Sequence, residues 1–162
     1  MPKVFVGMAD MKLANPPDIL VTLGLGSCVG IVLQDTSSKL SGMVHIMLPD
    51  SKFITYTATS DQPLKFADSG ILSLIKEMEA AGAKRECMIA KIAGGAHLFD
   101  VHRVDNESVG LRNVQSSIHT LAENNIALVA RETGGNKGRT IEFDTVTGEL
   151  HIKTLGGVTT II

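Results

Sequence analysis

The sequence predicts a single α+β (α/β) domain built on mixed β-sheets. Short apolar, β-branched runs outnumber helical stretches, and only two stretches, 64–81 and 108–124, carry apolar residues at the 3.6-residue period of a helix. The two kinds of element follow one another in mixed order, which fits sheets with helices packed on them. Pattern alone leaves the order of the layers open. At 162 residues the chain suits one domain spanning 1–162. A domain of that length can bury about 70% of its unfolded surface without a disulfide or metal staple.

Taken in order, Val4–Met8 reads as a strand that continues in extended form to Leu13, and Asn15-Pro-Pro as a loop, because each proline restricts the residue before it. Ile19–Leu23 and Val29–Gln34 are near-continuous apolar runs, the signature of strands covered on both faces. Asp35-Thr-Ser-Ser-Lys is a turn, Gly42–Leu48 a third buried strand stopped by Pro49, and 50–62 a loop. Leu64–Ala81 predicts a helix with Asp61 as cap, Pro63 in the first turn and Gly82 at the end. Phe66, Ile71, Leu74, Ile75 and Met78 give it a packing face. Cys87–Ala93 is a strand ending in Gly94-Gly95. The second helix, 108–124, packs through Leu111, Val114, Ile118 and Leu121. Ile126–Ala130 is a further strand, and Arg139–Phe143 with Glu149–Leu155 a hairpin.

Composition excludes several classes of function. The formal net charge is −2 with no basic block, which argues against nucleic acid, whose phosphates are bound through Lys and Arg. The N-terminus shows no cleavable leader, and no apolar run approaches the ~20 residues of a membrane span. The two cysteines, Cys28 and Cys87, are read as free thiols of a reduced, cytoplasmic protein. A metal site is not expected, since neither C-x-x-C nor H-x-x-x-H occurs.

The stretch Thr22-Leu-Gly-Leu-Gly-Ser-Cys-Val-Gly30 stands out. Its glycines, Gly24-x-Gly26-x-x-x-Gly30, do not match the dinucleotide fingerprint, and a strand rather than a helix follows them. Cys28 lies between a Gly-rich turn and a buried strand, a setting in which backbone N–H groups can lower a thiol's pKa and then receive an oxyanion. His45, in the apolar run Met43-Val-His-Ile-Met-Leu48, is the candidate base. Residue types leave a second reading open: an inert buried cysteine and a hydrogen-bonded core histidine.

The runs Gly7-Met-Ala-Asp, Thr22–Gly30 and Gly42-Met-Val-His-Ile-Met-Leu-Pro49 resemble CheD, the chemoreceptor glutamine deamidase family of bacterial chemotaxis. Lys65-Phe-Ala-Asp68, Gly94-Gly-Ala-His-Leu-Phe99 and Gly134-Gly-Asn-Lys-Gly-Arg139 extend the resemblance over nearly the whole chain. The Gly-Ser-Cys block with a histidine 17 positions on is its most specific part. The resemblance implies a Cys28–His45–Thr22 active site, no cofactor, and a four-layer helix/sheet/sheet/helix sandwich similar to the cytotoxic necrotizing factor catalytic domain. It also implies receptor cytoplasmic domains and the CheC phosphatase as partners.

Deamidation of glutamine is acyl transfer from an amide to water, and a Cys–His pair supplies both nucleophile and proton shuttle. Thr22 would orient the imidazole by accepting from a ring N–H; its plainer reading is a β-branched strand residue. The turn at Gly24, Gly26 and Ser27 is the candidate oxyanion hole. Met47, His97, Leu98 and Phe99 are candidates for a substrate rim, each with core packing or a surface loop as the alternative. Cys87 is expected to be inert core. The competing function is a non-catalytic module that docks on receptors or on CheC.

Overall fold

Strand β4 (Val29–Asp35) is buried at every position, and the rest of the molecule is laid around it. It runs antiparallel to β5 (Ser41–Ile46) on one side and to β6 (Met88–Gly94) on the other. With β2 (Met11–Ala14) beyond β5 and β7 (Ala127–Thr133) parallel to β6, these strands form one mixed sheet, β2-β5-β4-β6-β7. The second sheet is β1-β3-β8-β9-β10, from β1 (Lys3–Phe5), β3 (Ile19–Leu25), β8 (Arg139–Asp144), β9 (Leu150–Thr154) and β10 (Thr159–Ile161). Its single parallel pair is β1 with β3. This computed structural model describes residues 1–51, 62–97 and 108–162.

The alternation of side chains along β4 divides the core in two. Val29, Ile31 and Leu33 face the helices α1 (Ala67–Ala80) and α2 (Val109–Glu123), with Val44, Ile46, Ala90 and Ile92 beside them. Val32 faces the other sheet, with Met43 and Ala93 meeting Leu20, Leu25, Ile141, Phe143 and Ile152. Both helices lie on the β4 sheet and touch each other. Among the described residues there are therefore three layers, helix/sheet/sheet, where four were expected. Strand alternation reveals that a sheet is covered on both faces, but not by what.

Other expectations shift at element ends. The extended run from Val4 to Leu13 is two strands in different sheets, separated by a turn in which the Asp10 carboxylate accepts the Gly7 N–H at 3.2 Å and Ala9 has φ 53°. Pro63–Lys65 forms a 3-10 turn, and the α-helix starts only at Ala67. Phe66 is extended instead, because it is fully buried and bridges to Leu48. The expected cap, Asp61, lies outside the described residues. Cys87 ends a 3-10 turn and is half-exposed, so it heads β6 without belonging to the core. Helix α2 starts as expected beside Ser108, which caps it: its hydroxyl accepts the Leu111 N–H at 3.0 Å. Its packing face is Gly110, Asn113, Val114, Ser117, Thr120 and Leu121, leaving Leu111 exposed.

Candidate active site

Thr22 and His45 meet between the two sheets, and Cys28 packs against the same intersheet core. Thr22 shares the inner face of β3 with Leu20, and His45 shares the inner face of β5 with Met43. Both are fully buried. Their side chains meet across the sandwich, Thr22 Oγ1 to His45 Nδ1, at 2.7 Å. The same hydroxyl donates to the Val6 carbonyl at 2.6 Å. A hydroxyl has one proton and a carbonyl only accepts, so Thr22 can only accept from the imidazole. Nδ1 therefore carries the ring proton, and Nε2 holds a lone pair. Nε2 is buried and has no hydrogen-bond partner among the described residues. Burial pushes the His45 pKa down to about 4, so the ring is neutral at pH 7.

A β-bulge delivers the thiol. Thr22 pairs with Ile141 and Leu25 with Arg139, so β3 gains one residue on β8 between those pairs, and Gly24 there has φ 68°. The left-handed conformation suits a bulge glycine, and the bend it makes swings the chain from β3 into β4. The next three carbonyls are all engaged. Gly26 accepts from the Ala96 N–H and Cys28 from the Gly95 N–H, both at 2.8 Å, and Ser27 accepts from the Asn113 amide at 2.9 Å. The N–H groups of Ser27 and Cys28 donate to no other residue among the described ones. A Cβ on Gly94 would stand 2.3 Å from the Cys28 carbonyl, so this close approach needs glycine. Gly134-Gly135 backs the same wall: the Gly134 N–H donates to Gly94 and the His97 N–H to Gly135. The buried Arg139, paired with Glu132, holds the Gly134 carbonyl.

Cys28 is half-buried against the intersheet core. Burial pushes its thiol pKa up, outweighing its own N–H, which acts in the other direction. The sequence-based expectation of a lowered thiol pKa is thus reversed: the turn that frees N–H groups also removes the thiol from water.

Of the expected rim, Met47 is half-buried with its backbone tied at both ends, N–H to Lys65 at 2.8 Å and carbonyl to Asn113 at 3.0 Å. His97 is half-buried beside Gly135. Leu98 and Phe99 lie outside the described residues. Sequence reasoning passed over Asn113, which is fully buried and contacts both the turn before Cys28 and the segment after His45. The signal was available in a second phasing of α2, in which Gly110, Asn113, Val114, Ser117 and Leu121 share a face. It also passed over Met8 and Leu23, exposed apolar side chains adjacent in sequence to Ala9 and Thr22. Among the described residues, no three His, Cys, Asp or Glu side chains group as metal ligands would, and no helix is long and apolar enough to cross a membrane.

Residues 47–154 match the CheD family model, described as CheD chemotactic sensory transduction. Several similar proteins carry the name "Probable chemoreceptor glutamine deamidase CheD". One from Lachnoclostridium phytofermentans is 49% identical over 152 residues, which is 93% of this chain and 92% of its own. One from Caldanaerobacter subterraneus is also 49% identical over 152 residues, with the same coverage. One from Clostridium botulinum is 46% identical over 157 residues, 95% of this chain and 94% of its own. A match to the family model over two-thirds of the chain, together with relatives that span nearly all of it, shows that this chain belongs to the CheD family.

Proposed function

We propose that the protein is a cytoplasmic chemoreceptor glutamine deamidase in which Cys28 is the nucleophile and His45 the general base and acid. The observation that carries this reading is the neutral, buried imidazole, fixed at Nδ1 by Thr22 and free at Nε2. Supporting it, Gly30 pairs with His45 and the β4–β5 ladder ends with Val29 opposite Ile46, so Cys28 is the residue that leads into the strand beside the base.

In the reaction, Nε2 takes the thiol proton as Sγ bonds to the glutamine amide carbon. The N–H groups of Ser27 and Cys28, which donate to no other residue among the described ones, receive the developing oxyanion. The C–N bond then breaks, and Nε2 returns the proton to the departing ammonia. Nε2 next deprotonates water, which attacks the thioester; the C–S bond breaks, glutamate is released and the thiol regains its proton. This is the chemistry that the resemblance to the cytotoxic necrotizing factor toxins implies. Met8 and Leu23 offer apolar surface for the receptor segment, and the CheC phosphatase is proposed as a second partner on the resemblance alone.

The test is mass spectrometry of a receptor cytoplasmic fragment incubated with the protein. Wild type should convert specific glutamines to glutamates. Cys28→Ala and His45→Ala should each fall to background, with the double variant no worse than either. Thr22→Val should lose about 10–100-fold in kcat, since a buried ring N–H left unpaired costs about 1–3 kcal/mol. Wild-type turnover in His45→Ala would remove His45 from the mechanism. Receptor binding without conversion by wild type would favour the docking module.

A further inference from the structure

We propose that Asn113 is a positioning residue that sets the nucleophile turn in register with the strand that carries the base. The backbone cannot do this alone. The β4–β5 ladder stops at the Val29–Ile46 pair. One step on, Met47 turns its N–H away to the Lys65 carbonyl. At that point, between Ser27-Cys28 on one side and Met47 on the other, the two strands have no ladder bond to hold their spacing.

Asn113 reaches down from α2 and closes the gap. Its Nδ2 donates one proton to the Ser27 carbonyl at 2.9 Å and the other to the Met47 carbonyl at 3.0 Å. Both partners are carbonyls, so the orientation of the amide follows from chemistry: the nitrogen must face them. Ser27 is the residue before the nucleophile, and Met47 is two residues after the base. A single planar NH2 group thereby replaces the missing rung. The bond is kept against a cost, since Oδ1 of the same amide is buried without a partner among the described residues, a loss of about 1–3 kcal/mol. Leucine at this position would fill the α2 face with no orphaned acceptor, but would donate nothing. The helix is locked in turn, because Ser117 donates to the Asn113 carbonyl at 2.7 Å and Gly110 packs against the carbonyls of Gly95 and Ala96. Asn113 is fully buried and so acts through Cys28 and His45, not on the substrate.

The proposal rests on the Cys28–His45 reading, and its test separates the two. The variants are Asn113→Ala, Asn113→Ser, which keeps one donor, and Asn113→Asp. Leu121→Ala, on the same buried face of α2 but away from both carbonyls, controls for lost stability. On the receptor fragment, Asn113→Ala should lose at least tenfold in kcat with KM within twofold, and Asn113→Ser should fall between it and wild type. Asn113→Asp should recover relative to wild type as pH falls from about 8 to 5, because a protonated carboxyl regains one donor. Leu121→Ala should melt lower than wild type yet keep its kcat. The second readout needs no substrate: the rate at which iodoacetamide labels Cys28, mapped by peptide, should change at least threefold in Asn113→Ala and not in Leu121→Ala. If Asn113→Ala folds and matches wild type in labelling, the proposal is overturned whatever the deamidase assay shows. It is equally overturned if Leu121→Ala reproduces the kcat loss. Should Asn113→Ala fail to fold, Asn113→Ser carries both readouts with the same criteria.

Discussion

At pH 7 Cys28 and His45 rest as a thiol and a neutral imidazole. Burial raises the Cys28 pKa and lowers that of His45 to about 4, so each shift disfavours the charged form. In the mechanism proposed above, the proton would therefore move only as Sγ attacks, not from a preformed thiolate–imidazolium pair. Alkylation of Cys28 followed against pH should therefore have its midpoint above the ordinary thiol range. A midpoint well below that range would mean a preformed ion pair and would reverse this assignment. Cys28 and His45 stand out in sequence by local marks, a glycine-flanked cysteine and a histidine within an apolar strand, whereas Thr22 reads as an ordinary β-branched strand residue and is singled out only by the resemblance. Asn113 carried no such mark. Its role depends on two carbonyls that lie 86 and 66 residues away along the chain.

At the scale of the element, strand β4 makes room for the site by what it lacks. Gly30 is the cross-strand partner of His45. A Cβ there would stand 2.6 Å from Ile141 Cδ1, 3.4 Å from Leu25 Cδ1 and 3.6 Å from Thr22 Cγ2. Gly30→Ala should thus destabilise the fold by about 1–3 kcal/mol through overpacking, and push on the face that carries Thr22. Ile141→Val removes the atom in the way, so the double variant should recover most of the loss in denaturant titration. An unchanged loss in the double variant would place the strain elsewhere. Helix α2 shows how its face was read only in part. Val114, Ile118 and Leu121 pack on the core as expected, yet Leu111 is exposed while Asn113, Ser117 and Thr120 are buried. Hydrophobicity chose one of two overlapping faces; the narrow seat against Gly95 and Ala96 chose the other, since it takes only small residues such as Gly110.

For the whole molecule, acid acts in two windows. His45 has an ordinary pKa near 6.5 and a folded value of about 4. Between them the unfolded chain binds the extra proton, so stability falls as pH drops through that window, by about 3 kcal/mol in all. Asp35 behaves differently. Burial alone would raise its pKa, but the Ser37 hydroxyl and the N–H groups of Lys84, Ser38 and Ser37 hold it far below the carboxylate range. Its contribution is intact above about pH 4 and is lost only in stronger acid. Unfolding free energy measured from about pH 7 to 4 should slope downward in wild type and flatten in His45→Gln. An equal slope in both would assign the acid sensitivity to another group. The mixed sheets and most strands were legible from alternation and turn residues. The layer count was not, because both helices could satisfy their apolar faces on one sheet.

The bond between Thr22 and His45 joins two sheets that are completed at different points along the chain. His45 belongs to a sheet whose last strand ends at Thr133, and Cys28 leads directly into β4 of the same sheet, whereas Thr22 sits on β3 between β1 and β8, and β8 starts only at Arg139. The site is thus a logical AND of two halves of the translation product. A nascent chain that has not yet released its C-terminal strands already holds Thr22, Cys28 and His45, but lacks β8, β9 and β10, which complete the sheet in which Thr22 lies. The Gly134–Gly138 connection is then a natural place to divide the protein: fragments 1–135 and 136–162 should each be inert and become active on reassembly, which makes the fold itself a proximity reporter.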